Sequence, residues 1–382
     1  MRTGIPSRIA DDDPRWLEMA LALSRRSLGQ VAPNPAVGAV IVRDGRVLGR
    51  GATGAGGSPH AEVVALSQAV SRFGADALSG ATMHVTLEPC AHHGRTPPCA
   101  DALIDAGIAR VVAPIEDPDP RVSGQGFQRL LAAGLEVITG RYADMARQVN
   151  AGFLSRIQNG RPHVTLKLAT TLDGRIATAT GQSRWITGLQ ARRVVHLMRT
   201  RSDAVMIGAG TARIDDPMLD VRGFGDRAHQ PIRIVVDGSL SLPLTSRLAR
   251  TIRDAPLWLL HRRNAPHERR EAFQGLGARL FDVRTIENGR LSIGDALLQL
   301  ADVGVTRLLC EGGGQISAAL IAEDVVDELV LFQAGRTFGG DGAAAVAGFG
   351  LKDLADAPKF DLVTTNRLGD DIMSVWRRNA AR

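Results

Sequence analysis

The chain has 382 residues, 44% of them hydrophobic and only 4% aromatic, with a formal net charge of +6. That length suits two domains with aliphatic cores. No apolar run approaches the ~20 residues of a membrane span, and the basic residues form no aromatic-interleaved patch of the kind nucleic acid requires, so neither partner is expected.

Three cysteines are too few for a disulfide framework and point to a reducing, cytoplasmic setting. Asp11–Asp13 stand near the start with no apolar segment before them, which does not read as a secretory leader. Of 46 basic residues only Lys167, Lys352 and Lys359 are lysines. In so arginine-biased a chain, Lys167 marks a place where a compact ammonium is wanted in place of a planar fork.

In chain order, Leu17, Ala20, Leu21, Leu23 and Leu28 predict a helix over residues 14–28. A two-proline loop, Pro33-Asn34-Pro35, leads to a buried strand at 39–42. Asp44-Gly45 is a hairpin turn returning as a strand over 46–51. Residues 54–58 form a flexible glycine-rich loop, and a helix runs over 61–69 just after His60. A strand at 84–87 delivers Glu88-Pro89-Cys90, and Cys99 opens a helix over 100–106 whose N-terminus favours a thiolate. Strands at 110–113 and 135–138 flank a helix at 126–133, so this half is a layered α/β sheet.

His60, Cys90 and Cys99 supply one imidazole and two thiols, enough to hold a tetrahedral Zn²⁺ with its fourth position open to water. Such a water loses a proton near neutral pH. Glu62, two residues from the imidazole, is placed to shuttle protons between that water and a leaving amine. The order H-x-E, then P-C and a second Cys, is that of zinc deaminases, although eight residues separate the cysteines in place of the usual two. A structural zinc site is the alternative, with a fourth ligand from His84, His92 or His93.

Asn159-Gly160-Arg161-Pro162 breaks the pattern, which places a domain boundary there: 1–159 and 160–382. A strand at 163–168 carries Lys167 and precedes Leu172-Asp173-Gly174. Ser183-Arg184-Trp185-Ile186-Thr187-Gly188 opens a helix over 188–200 bearing Arg192, Arg193 and Arg199. A strand at 204–207 ends in Gly208-Ala209-Gly210-Thr211, followed by Asp215-Asp216-Pro217. Further strands are expected at 232–236, 257–260, 307–310 and 329–332, and a helix at 293–301. Glu311-Gly312-Gly313-Gly314-Gln315 joins a strand to a helix, a junction where backbone N–H groups can meet a phosphate. The dinucleotide fingerprint G-x-G-x-x-G is absent. On these residues alone the ligand is a phosphate-bearing substrate or cofactor, and glycine turns of this kind also occur with no ligand at all. Cys310 and His196 read as packed residues. His229, His261 and His267 read as loop residues without a role, and Trp185 as either core or a stacking platform.

Taken together, the motifs have a family. Pro33-Asn34-Pro35, His60-Ala61-Glu62, Thr86-Leu87-Glu88-Pro89-Cys90, the Gly94–Cys99 segment, Leu172-Asp173-Gly174, Trp185-Ile186-Thr187-Gly188, Gly208-x-Gly210-Thr211, Asp215-Asp216-Pro217 and Glu311-Gly312-Gly313 occur in this order. The chain resembles the bifunctional RibD family of riboflavin biosynthesis from about residue 14 to 345. Thr53 and Thr171 depart from the family pattern; Thr171 keeps the hydroxyl of the usual serine.

The resemblance implies a cytidine-deaminase-like three-layer α/β/α domain followed by a dihydrofolate-reductase-like α/β domain. It implies zinc-dependent deamination of 2,5-diamino-6-(phosphoribosylamino)pyrimidin-4-one, then NADPH-dependent reduction of the ribosyl side chain to give 5-amino-6-(phosphoribitylamino)uracil. His60, Cys90 and Cys99 would hold zinc, with Glu62 the proton shuttle, Asn34 orienting the pyrimidine and residues 92–96 closing over it. In the second domain Lys167 and Asp215 would be catalytic. Ser183, Arg199, Leu219, Arg222 and Glu311 would meet the substrate. Ala169, Trp185, Thr211, Asp215, Gly313, Gly314, Gln315, Ile316, Ser317, Ala318 and Ala319 would meet NADPH. The family also implies a homo-oligomer. Two other readings compete: a nucleoside or RNA-base deaminase with an inert second half, and a zinc-stabilised binding protein that has lost catalysis, against which the intact Glu62 stands.

Overall fold

The computed structural model describes residues 10–379 apart from 93–96, 121–122, 226–229 and 287–288. Its contacts divide the chain between Asn159 and Gly160 into two compact units.

The first unit is built on a five-stranded sheet in the order Arg46–Ala52, Gly38–Arg43, Thr82–Val85, Arg110–Val112, Glu136–Ile138. The first two strands are antiparallel and joined at Asp44-Gly45, both with positive φ (52° and 70°), as a tight hairpin requires. The last three run parallel. The first helix is Pro14–Ser24, shorter than the apolar spacing suggests. The chain must turn there so that Ser27 Oγ can donate to the Thr53 carbonyl at 2.7 Å.

Glycine decides how closely the next helix, Ala61–Phe73, approaches the sheet. A β-carbon at position 51 would sit 2.0 Å from the Ala61 carbonyl, and one at position 49 would sit 2.1 Å from that of Ala65. The helix start, with His60 as its N-cap residue, is therefore pressed onto the second strand. The glycine-rich segment before it is not the loose loop expected. Ala55–Gly57 form one 3₁₀ turn, tied by Gly56 N–H to the Gln30 carbonyl at 2.8 Å.

The second unit contains a nine-stranded sheet. Its order is Arg279–Val283, Leu257–Arg262, Ile232–Val236, Ala204–Gly208, Arg307–Cys310, His163–Thr171, Glu328–Ala334, Asp371–Arg378, Phe360–Leu368. The first seven run parallel and the last two form an antiparallel hairpin. In open parallel sheets the crevice for ligands lies at the carboxyl ends of the strands. Here those ends present Gly208, Val236, Arg262 and Cys310. His261 lies inside the strand Leu257–Arg262, where it is buried and its Nδ1 lies 2.8 Å from the Arg262 carbonyl, so it is not a loop residue. His267 opens the helix His267–Gly275 and pairs with Glu271, also outside a loop. His229 is outside the described residues.

At the start of this unit Arg161 grips Asp327 with two N–H donors, at 2.6 and 2.7 Å, and Val164 N–H donates to the same carboxylate at 2.8 Å. His163 between them has a buried Nδ1 with no hydrogen-bond partner. Burial pushes its pKa down to about 4; Asp327 opposes that, and Arg307, Arg161 and Arg377 reinforce it. A base with a depressed folded pKa contributes stability that is lost as pH falls from its unfolded value of 6.5. We expect His163→Gln to remove about 3 kcal/mol of the destabilisation between pH 6.5 and pH 4. Denaturant unfolding of the full chain at both pH values measures this, and equal losses in variant and parent would refute it.

Candidate metal centre and reductase cleft

Three short segments within forty residues of sequence converge in the first unit. His60 stands before the helix Ala61–Phe73, Cys90 lies five residues past the end of the strand Thr82–Val85, and Cys99 begins the helix Cys99–Asp105. His60 Nδ1 lies 3.2 Å from Cys99 Sγ and 3.7 Å from Cys90 Sγ, and all three donor atoms fall within 4.8 Å of one another. Tetrahedral zinc, with Zn–S near 2.3 Å and Zn–N near 2.0 Å, places its N and S ligands roughly 3.5 Å apart. The donor set therefore fits zinc.

The protonation pattern points the same way. Hydrogen bonds from the Cys99 thiol and from His60 draw the Cys90 thiol well below its usual range. Cys99, sharing that proton with Cys90 and buried, is pushed up, and His60 is raised by its hydrogen bond to Cys90. Both sulfurs can be thiolates only beside a cation.

Among the described residues no fourth donor joins the cluster. His84 Nε2 is instead 2.7 Å from the Asp11 carbonyl, and His92 is exposed. His93 and the 94–96 part of the expected closing loop are outside the described residues.

Glu62 is buried in the first turn of its helix, and burial raises its carboxyl to about 7, with the Cys90 charge adding to the rise. A carboxyl near neutrality can both take and give a proton. Asn34 lies exposed on the neighbouring loop, where its amide donates to the Gly56 carbonyl at 3.2 Å. Gly57, at φ 88°, makes room for it, since a β-carbon there would sit 2.0 Å from Asn34 Nδ2.

Sequence reasoning missed Glu88. Its buried carboxylate accepts four backbone N–H groups: Asp117 (3.0 Å), Gly124 (3.0 Å), Gly126 (2.8 Å) and Phe127 (3.3 Å). It thus ties Asp117 and residues 124–127 to the segment that carries Cys90. Gly126 is pressed so close that a β-carbon would lie 2.0 Å from the Pro89 carbonyl. The available signal was a carboxylate between an apolar strand and Pro-Cys, a place where an unpaired charge cannot stay.

In the second unit a cavity of about 860 Å³ opens at the carboxyl ends of the parallel strands. Ser183, Thr211, Asp215, Gly313, Gly314, Gln315, Ile316 and Ala319 line it. Ser183 Oγ donates to Asp215 Oδ1 at 3.1 Å. A β-carbon on Gly313 would meet Thr211 Oγ1 at 2.7 Å, and one on Gly314 would meet the Ala344 carbonyl at 2.6 Å. The helix Gly314–Ala322 therefore presents a bare backbone start to the cavity, a cradle suited to a diphosphate. Ser317 and Ala318 are buried and do not line it; Ser317 Oγ donates back to the Gly313 carbonyl at 3.1 Å. Ala169 is on the strand His163–Thr171 and also lies off the lining. Trp185 is 62% exposed, so it is not core, and Arg192 lies over its ring at 4.2 Å.

A second cluster gathers around Glu311. Arg199 holds it bidentately, Nε to Oε1 at 2.5 Å and Nη2 to Oε2 at 2.8 Å, and gives its Nη1 to the Asp220 carbonyl at 2.8 Å. Arg199 is therefore engaged, whereas Arg222 is 64% exposed and ion-paired only at 3.3 Å to Asp220. The Arg222 N–H donates to His196 Nδ1 at 3.2 Å. Lys167 is half-buried beside this pair, 5.9 Å from the Phe332 ring; desolvation lowers its pKa and Glu311 resists the shift. Leu219 holds positive φ (54°) with its side chain buried, so only its backbone is on offer. Cys310 is core, as its aliphatic strand implied, and burial pushes its thiol up to about 12.

Fold and site together define a zinc-dependent deaminase joined to a nucleotide-dependent reductase. Residues 10–114 match the family described as the cytidine and deoxycytidylate deaminase zinc-binding region, and residues 162–374 match the RibD C-terminal domain. The chain is 36% identical to the riboflavin biosynthesis protein RibD of Aquifex aeolicus, over 97% of this chain and 99% of that one. It is 38% identical to that of Escherichia coli, over 94% and 98%. Acinetobacter baumannii RibD superposes with a TM-score of 0.84 at 36% identity, over 96% of this chain and 99% of the other. The Thermotoga maritima deaminase/reductase superposes with a TM-score of 0.84 at 32% identity, over 96% and 98%. The chain belongs to the RibD family: it is a bifunctional deaminase and reductase of riboflavin biosynthesis. Its first half has the cytidine-deaminase-like fold and binds zinc, and its second has the dihydrofolate-reductase-like fold and uses NADPH. No helix among the described residues is long and apolar enough to cross a membrane.

Proposed function

We propose that residues 1–159 deaminate 2,5-diamino-6-(phosphoribosylamino)pyrimidin-4-one and residues 160–382 reduce the product to 5-amino-6-(phosphoribitylamino)uracil. The observation that carries this reading is the buried Glu62 beside a three-donor cluster with no fourth protein ligand among the described residues. Zinc held by His60, Cys90 and Cys99 supplies Lewis acidity that makes water a nucleophile near neutral pH. Glu62 takes one proton of the attacking water and passes it to the ring nitrogen. It then takes the second from the hydroxyl now on the ring carbon and gives it to the leaving amine, which departs as ammonia as the carbonyl forms. Asn34, fixed by Gly56, orients the pyrimidine.

In the second unit NADPH supplies a hydride to the anomeric carbon of the ring-opened imine form. Thr211, Asp215, Gly313, Gly314, Gln315, Ile316 and Ala319 bind the cofactor through the cavity they line, and Trp185, exposed two residues past Ser183, meets it from outside that lining. Lys167 delivers the proton that accompanies reduction, and Asp215, oriented by Ser183, assists. Arg222 takes the substrate phosphate, with Arg199, Leu219 and Glu311 shaping its seat.

Chelation is the test. Removing zinc is expected to stop ammonia release while NADPH oxidation on deaminated substrate continues; restoring zinc brings ammonia release back. Deamination that survives complete removal of the metal would overturn the reading.

The three cysteines are unpaired thiols, which supports a cytoplasmic enzyme. Self-association is supported by the edge strand Phe360–Leu368, which leaves Leu362, Val363 and the neighbouring Ile372 exposed.

A further inference from the structure

We propose that Arg262 reads the 2′-phosphate of NADPH and sets the preference for NADPH over NADH. The inference rests on the placement of the cofactor proposed above. With the reducing end near Ser183 and Asp215, and the diphosphate over the Gly313-Gly314 cradle, the adenosine continues along the same cavity. Its far wall is Val236, Asp237, Gly238, Ser239 and Arg262, at the carboxyl ends of two adjacent parallel strands.

Arg262 is the last residue of its strand, and it also lines a second cavity of about 630 Å³ with Arg263, Asn264 and Arg284. The two cavities share Arg262 and Gly289, so its side chain stands where one opens on the other. The side chain lies across the backbone of Gly238. A β-carbon at position 238 would be 3.2 Å from Arg262 Nε and 3.4 Å from Cγ. Nε donates to the Gly238 carbonyl at 3.3 Å, and the backbone N–H of Arg262 donates to the same oxygen at 3.0 Å. These bonds fix the plane of the guanidinium and leave its two terminal nitrogens for a ligand. Among the described residues no carboxylate pairs with it.

The acidic groups nearby are committed elsewhere. Asp237 is buried and accepts from Ser241 Oγ at 3.0 Å and Leu242 N–H at 2.7 Å. Asp282 pairs with Arg263 at 3.3 Å. Asp295 accepts from Arg284 N–H at 2.9 Å and Gln299 Nε2 at 3.0 Å. An arginine with an oriented, uncompensated fork at the mouth of a nucleotide cavity matches a phosphate dianion bidentately. Of the two nicotinamide cofactors, only NADPH carries such a dianion at its adenosine end.

The test compares NADPH, NADH and 2′,5′-ADP by calorimetric titration of the full-length zinc-loaded chain. Arg262→Gln is expected to weaken NADPH and 2′,5′-ADP by about tenfold or more, with NADH changed less than about twofold. Equal losses for NADPH and NADH, or no loss for either, would overturn the role of Arg262. Gly210→Trp tests the placement separately. Gly210 lines the cavity and faces open space, so an indole there projects into the room the cofactor needs. It is expected to abolish binding of both cofactors; unchanged binding would overturn the placement itself, whatever Arg262 does.

Discussion

Glu62→Gln is expected to cut ammonia release by roughly 10²–10⁴-fold, the usual contribution of a positioned acid–base group, and to leave NADPH oxidation on deaminated substrate unchanged. That loss corresponds to about 3–5 kcal/mol of barrier. Glutamine fills the same space but carries no proton between water, ring nitrogen and amine. Because the parent carboxyl is buried and raised to about 7, the neutral amide costs no more to bury than the ionised acid. The variant should therefore fold with equal or higher thermal stability and keep one zinc per chain. Matched assays of ammonia and NADPH consumption, with metal analysis, check all three points. Retained deamination would remove Glu62 from the chemistry, and lost zinc would make it part of the metal's support.

Lys167→Met should give the mirror image, with reduction falling by roughly 10²–10⁴-fold and deamination unaffected. Methionine matches the length and apolar stem of lysine and fits a half-buried strand position. Glu311 keeps its bidentate partner Arg199, so the substitution leaves no unpaired buried carboxylate. Lys167→Arg should not rescue reduction. A guanidinium is larger and planar, and it stays protonated throughout the working range, whereas burial has brought the Lys167 ammonium closer to the range where it exchanges protons. Equal loss of both activities in Lys167→Met would mark the residue as structural.

What could be read from the sequence follows from where information is local. The zinc ligands and Glu62 lie within forty residues and carry the chemistry in their residue types. The Asp44-Gly45 hairpin and the glycine run before Gly314–Ala322 are also local, since each is set by backbone conformation at one or two residues. The helix end at Ser24, in contrast, depends on a bond from Ser27 to Thr53, which spacing within the helix does not reveal. The strand Phe360–Leu368 is exposed along nearly its whole length, so it lacks the alternation that marks a half-buried strand. The pairing of Arg199 with Glu311 spans more than a hundred residues; the sequence offered both as substrate contacts, and the fold turned each toward the other. His261 is followed by two arginines and so reads as loop in the sequence, although it is the next-to-last residue of a strand that is otherwise apolar up to Arg262.

The bracing of Cys90 by Glu88 and Gly126 has a wider meaning. A peptide cut from His60 to Cys99 would contain every donor to zinc, yet it would lack the four amides that hold Glu88, two residues before Cys90. Affinity here is a property of the finished tertiary structure, so loading with metal reports completion of the first unit, and damage at Asp117 or at residues 124–127 would register as metal loss although no ligand had changed.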